Sequence, residues 1–245
     1  GKVFNDKRVR QAFCYAIDRE KIVTHTVKGQ GVAGTHGIAP PSFSTYDAAA
    51  VKGYGFDANK ARKLMAEAGF PEGKGFPELT LNINSGGGRN TQVAEAIQKM
   101  LQENLNIKVN ISKMPFHQHL ENTESAKFDF WRAGWVADYP DPENFLTLLW
   151  SDHLPKDIAK GTTYLNTFRY KNADFDRLFE EALKTVDEKK RNDLFRQADQ
   201  IAINDAVYMP LFYAKDQRLL QANVRDFPQN AMEYRLLEKT YFAKK

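Results

Sequence analysis

Apolar residues recur along this chain with two periods, and the places where the period changes mark its elements. Val9, Ala12, Phe13, Ala16 and Ile17 follow the i, i+3, i+4 rhythm of an amphipathic helix, with Asn5 or Asp6 placed to cap it and Cys14 and Tyr15 off the centre of the stripe. A second helix follows an Asp57 cap: Ala61, Leu64, Met65 and Ala68 share a face, and Gly69 with Pro71 ends it. Between the two, residues 29–55 are rich in Gly, Ala, Ser and Pro and read as a long irregular connection, packed or functional. The rhythm then shortens to two. Leu79, Leu81 and Ile83 alternate with polar residues; Gly86-Gly87-Gly88 leads into a helix carrying Val93, Ala96, Ile97, Met100 and Leu101; a second alternation covers residues 107–111. Strand, helix and strand in that order predict a βαβ unit with parallel strands and a right-handed crossover. Phe175, Leu178, Phe179, Ala182, Leu183 and Val186 then form one helical stripe, and Leu194, Ala198, Ile201 and Ala202 another after an Asp187 cap. Residues 209–213 and 219–224 read as short strands. The tail beyond them carries scattered aromatics without a period, a face suited to a further segment.

Residues 128–142, Phe-Asp-Phe-Trp-Arg-Ala-Gly-Trp-Val-Ala-Asp-Tyr-Pro-Asp-Pro, are the most informative stretch. Aromatic and β-compatible side chains over residues 128–136 predict a strand. Tyr139-Pro140 turns the chain out of the sheet, because proline restricts the residue before it and donates no N–H. Asp141 then caps a helix, with Pro142 in its first position and Glu143 at the positive end of the dipole, continued by Phe145, Leu148 and Leu149. Capping occupies Asp141 and leaves Asp138 without a local duty. It is expected at a strand end beside Trp131 and Trp135, where α/β proteins commonly hold ligands.

Composition narrows the classes. The 245 residues suffice for one large domain or two small ones. Lys+Arg 35 against Asp+Glu 31 leaves a net charge of +4 with no basic run to follow a phosphate backbone, which argues against nucleic acid. No apolar run approaches the roughly 18 residues of a membrane span, and the opening residues lack a signal peptide's apolar segment. With a helix beginning almost at once, the chain reads as a piece of a longer protein. The single Cys14 rules out an internal disulfide, and with a packing role at hand and no neighbouring His it reads as inert. Gly86-Gly87-Gly88 lacks both a following Lys-Ser/Thr and the GxGxxG spacing, so it reads as a flexible turn rather than a phosphate loop. His117 and His119, two apart, fall on different faces of a helix with no carboxylate or Cys at ligand spacing. No metal or cofactor is expected.

Five ordered segments carry a resemblance. Residues 4–12 (Phe-Asn-Asp-Lys-Arg-Val-Arg-Gln-Ala) with residues 15–19 (Tyr-Ala-Ile-Asp-Arg), then Ile38-Ala39-Pro40-Pro41, residues 61–69, residues 134–139 (Gly-Trp-Val-Ala-Asp-Tyr), and Arg191 through Pro210-Leu211 resemble the C-terminal lobe of the peptide-binding proteins of ABC importers. These are the oligopeptide and dipeptide permease receptors, extracellular solute-binding family 5. The resemblance implies an α/β fold: a periplasmic-binding-protein-like (type II) lobe, a mixed sheet flanked by helices. Residues 1–212 would form this ligand-binding lobe, and residues 213–245 a tail that returns to an N-terminal lobe absent from this sequence. It further implies a peptide ligand, importer membrane subunits as partners, and a place outside the cytoplasmic membrane, periplasmic or anchored at the cell surface.

At matching positions, the resemblance implies that Asp138 binds a peptide's α-ammonium and that the backbone of Gly134, Val136 and Ala137 pairs with the peptide main chain. Arg132 would meet the carboxylate of a peptide of suitable length, and Trp135 would wall a side-chain pocket. This is physically coherent, since a strand edge reads any peptide through its backbone groups while one carboxylate fixes the N-terminus. Asp138 also has a plainer reading as a surface carboxylate, and Arg132 as a solvated or ion-paired arginine. The same family holds receptors for nickel chelates, opines and sugars. Two other classes compete. Asp138, Asp141 and Glu143 together suggest a hydrolase or metal site, weakened because capping accounts for Asp141 and first-turn placement for Glu143 where acid–base chemistry usually wants a pair. Trp131, Trp135, Tyr139 and Phe145 suggest an interaction face.

Overall fold

The computed structural model describes residues 2–215, 217–228, 234 and 236–244. A 3-10 turn leads into helix α1 (Lys7–Ala16), capped by Asp6, whose carboxylate accepts the Arg8 N–H at 2.8 Å. Val9, Ala12, Phe13 and Ala16 are buried as the period requires, but so is Cys14. Two apolar clusters flank α1, so its off-centre face is covered too. Burial pushes the Cys14 thiol up to about 12, which leaves it a packing group. A single turn, α2 (Arg19–Lys21), follows. Within the segment expected to be irregular lies a strand, β1 (Gly31–Ala33), invisible to the period because it is three residues long. Helix α3 (Ala58–Glu67) starts on Asp57, which accepts the Lys60 N–H at 2.9 Å, and Gly69 closes it at φ +95°, where a side chain would be strained.

The βαβ unit forms as read. Strand β2 (Leu79–Asn84), helix α4 (Gly88–Leu105) and strand β3 (Val109–Met114) follow in order, and the strands pair in parallel with Leu79 opposite Val109 and Asn84 opposite Met114. The second strand starts later than expected because Asn106 ends α4 in the left-handed conformation and Ile107 is buried in the connection. Helix α5 (Phe116–Glu124), the one-turn α6 (Glu143–Leu146), α7 (Ala173–Lys184) and α8 (Glu188–Asn204) complete the helices. Asp187 caps α8 as expected, whereas Val186 lies beyond the end of α7 and is solvent-exposed. Strand β4 (Phe212–Ala214) pairs antiparallel with β1, and β5 (Val224–Arg225) with β6 (Tyr241–Phe242). The strands expected at 209–213 and 219–224 are thus shorter and displaced toward their C-terminal ends. The chain assigns those backbone groups to β1 and β6, which periodicity alone cannot see.

Two apolar clusters support the site. One holds α1, α3, α4 and the β2–β3 pair; the other holds α7, α8, the 39–54 connection and residues 145–149. Tyr15 and Met209 pack against both. In the second cluster a fully buried carboxylate, Asp199, ties the long connection to α8. It accepts the Ile38 N–H at 3.0 Å and the hydroxyls of Tyr46 at 3.1 Å and Tyr208 at 2.6 Å. Burial raises its pKa even though these donors oppose the shift.

Candidate functional site

Residues 128–142 cross from one cluster to the other. Phe130 packs on the βαβ cluster, its ring 5.8 Å from that of Phe13, while Trp135 and Ala137 lie against the helical cluster. Only the first part behaves as a strand. The Asn82 N–H donates to the Phe130 carbonyl at 3.0 Å and the Arg132 N–H to the Asn82 carbonyl at 2.9 Å, a single parallel bridge joining Asn82 and Trp131. The expected strand over residues 128–136 therefore ends early, for an identifiable reason. The Arg132 carbonyl, which the next rung of the ladder would use, accepts instead from Nε2 of buried His119 at 2.9 Å. His119 is thus a structural donor, and burial lowers its pKa.

Beyond Arg132 the backbone stands open. Ala133, Gly134 and Val136 are exposed, and a Cβ built on Gly134 would meet nothing within 4 Å. Among the described residues no hydrogen bond engages the backbone of Gly134, Val136 or Ala137. Asp138 does not close a strand, contrary to expectation; it sits in this open run with its side chain exposed. Its N–H donates to Asn144 Oδ1 at 3.1 Å, and the same oxygen accepts the Trp135 indole N–H at 2.8 Å. Buried Asn144, on α6, thereby fixes the Trp135 ring beside Asp138.

The neighbouring acids are engaged. Asp141 Oδ1 accepts the Glu143 N–H at 2.9 Å, and the Asp141 carboxylate pairs with Arg191. Glu143 accepts from the Tyr139 hydroxyl. The expected cap shifts by one residue: α6 begins at Glu143 with Pro142 as its N-cap, and Asp141 stands just ahead of it, accepting the Glu143 N–H. Among the described residues, no hydrogen bond or ion pair engages the Asp138 carboxylate itself. Arg132 is the complementary case. Partly buried, it reaches only Asn84 Oδ1, at 3.4 Å, and among the described residues no carboxylate stands within ion-pair distance. Burial lowers its pKa, and the charge of Arg89 nearby adds to the effect. A desolvated cation facing a second cation favours an incoming anion.

The structure thus places Arg132, Gly134, Trp135, Val136, Ala137 and Asp138 along one run of chain, with Trp135 and Ala137 against the helical cluster and Gly134, Val136 and Asp138 exposed. The sequence reading did not single out Asn144, Arg89, or Asn82 as a sheet partner. Asn144 lies three residues after the Asp141 cap, a spacing that marks it only as a first-turn helix residue.

The model of the bacterial extracellular solute-binding proteins, family 5 Middle, matches residues 1–154. The periplasmic oligopeptide-binding protein OppA of Salmonella typhimurium is 31% identical over 223 residues, which cover 89% of this chain and 38% of that protein. Heme-binding protein A of Haemophilus influenzae is 27% identical over 94% of this chain and 41% of its own length. The structure of the ABC transporter-associated periplasmic binding protein DppA from Helicobacter pylori, in complex with the peptide STSA, superposes with a TM-score of 0.81 at 27% identity, covering all of this chain and 45% of that one. The fold is that of a type II periplasmic-binding-protein lobe. The chain spans about two fifths of the length of the curated relatives it matches.

Proposed function

This chain belongs to the bacterial extracellular solute-binding proteins of family 5, and from that premise we propose that it is the C-terminal lobe of a receptor that captures peptides for an ABC importer. Residues 1–212 serve as the ligand-binding lobe, and residues 213–245 return toward an N-terminal lobe that closes over the ligand. The receptor works in the periplasm or anchored at the cell surface and hands its ligand to the importer's membrane subunits. Asp138 takes the peptide's α-ammonium, the open backbone at Gly134, Val136 and Ala137 pairs with its main chain, Trp135 walls a side-chain pocket, and Arg132 meets the terminal carboxylate of a peptide long enough to reach it. Binding without chemistry is the assigned role.

The observation that carries this reading is that, among the described residues, no hydrogen bond or ion pair engages the Asp138 carboxylate or the backbone of Gly134, Val136 and Ala137 beside it. Backbone groups that gain no partner within the fold are available to another chain, and such pairing reads peptides irrespective of side chain. Asp141 and Glu143 are engaged by Arg191 and Tyr139, so neither stands free to pair with Asp138 as hydrolysis usually requires.

A second reading, a non-peptide solute, draws its support from the relative named as a heme-binding protein and from the aromatic side chains around the open backbone. Mass spectrometry of small molecules that co-purify with the full-length receptor separates the two. Short peptides with free α-amino groups are expected. Recovery of a porphyrin, a metal chelate or a sugar in their place would transfer the proposal to the second reading.

A further inference from the structure

We propose that the loop at residues 161–170 supplies a second aromatic wall to this site, and that Tyr164 on it selects ligands whose first residue carries an aromatic side chain. The inference rests on the reading that Asp138 holds the α-ammonium of a peptide. Both tryptophans of the 128–142 stretch are faced by rings from this distant loop. The Tyr164 ring centre lies 6.1 Å from that of Trp135 at 57°, and the Phe168 ring centre 5.9 Å from that of Trp131 at 30°. Phe168 is backed in turn by Tyr208, at 6.2 Å. Tyr164 remains 62% exposed.

That exposure belongs to a loop anchored on both sides. Asn166, fully buried, donates through Nδ2 to the carbonyls of Trp150 at 3.0 Å and Tyr170 at 2.8 Å, and its Oδ1 accepts the Tyr170 N–H at 3.0 Å. Arg169, at φ +57°, donates to the carbonyls of Glu124 and Gly161, each at 2.7 Å. Thr163 donates its N–H to the Glu124 carbonyl at 3.1 Å and its hydroxyl to the His153 carbonyl at 2.8 Å. These bonds hold the backbone against α5 and the helical cluster while one large ring stands out between them. A tilted aromatic pair with an open face offers a third ring edge-to-face contacts that an aliphatic group cannot match.

Asn144 decides which part of the ligand meets this pair. Its one oxygen accepts from both the Trp135 indole N–H and the Asp138 backbone N–H, so the ring and the Asp138 backbone meet at one atom. A peptide whose ammonium sits on Asp138 presents its first side chain, one Cα away, to Trp135 and Tyr164.

The test is calorimetric titration of the full-length receptor with Phe-Ala-Ala and Ala-Ala-Ala. The wild-type receptor should prefer Phe-Ala-Ala by about tenfold or more. Tyr164→Ala should reduce that ratio about five- to tenfold while leaving Ala-Ala-Ala within about twofold, and Tyr164→Phe should retain it, since the ring and not the hydroxyl makes the wall. An unchanged ratio in Tyr164→Ala, with thermal melts showing both variants folded, overturns the inference. So does a wild-type receptor that binds the two peptides alike, an outcome that leaves the peptide reading standing. A receptor that binds neither these nor any other peptide removes both.

Discussion

Asp138→Asn in the full-length receptor is expected to weaken peptides with a free α-amino group by about 30- to 5,000-fold, the equivalent of about 2–5 kcal/mol for stranding one partner of a desolvated charge pair. The N-acetylated forms of the same peptides should change little, because they bring no charge to lose. The asymmetry follows from the site's wiring. Asp138 makes its structural contacts through its backbone, with its N–H donating to Asn144 and its carbonyl accepting from the Tyr234 hydroxyl, so replacing the carboxylate leaves the Trp135–Asn144–Asp138 arrangement intact. Calorimetry on matched free and acetylated peptides reads the effect. Equal losses for both would remove Asp138 from the ammonium role.

The second large effect concerns the chain by itself. These 245 residues should fold cooperatively, since two apolar clusters sharing Tyr15 and Met209 give the lobe a continuous core. They should nevertheless bind peptide only feebly. Ligand sites of this kind bury about 70–90% of the ligand between surrounding walls, and on one lobe a peptide at Asp138 keeps a solvated face. Exposed ion pairs contribute only about 0–1 kcal/mol, so a micromolar affinity in a two-lobed receptor should fall to about millimolar. NMR shifts of the isolated chain, titrated with a tri- to pentapeptide pool, measure it. Saturation at micromolar peptide would mean that this lobe alone carries the binding energy.

Legibility in the sequence followed the range of the contacts involved. The βαβ unit and the capped helices at Asp6, Asp57 and Asp187 were readable because local periods and caps determine them. The 128–142 stretch stood out in the sequence, but its shape did not. Its aromatic composition suits a strand, yet the ladder stops where His119, 13 residues away, takes the Arg132 carbonyl. Strand β1 and the Asp199 anchor depend on partners more than 150 residues distant, and no local pattern announces them. The Tyr164–Trp135 ring pair was hidden for the same reason: the loop of Tyr164 has no period, and only the fold brings the two rings together.

A crystal structure of the full-length receptor with a bound tripeptide tests the central claim most directly. The α-ammonium should lie about 3 Å from the Asp138 carboxylate, with the peptide main chain hydrogen-bonded to the backbone of residues 134–137, bonds that fall in the usual 2.7–3.2 Å range. A peptide seated with its ammonium on another acid, or with residues 134–137 still unpaired, would contradict it.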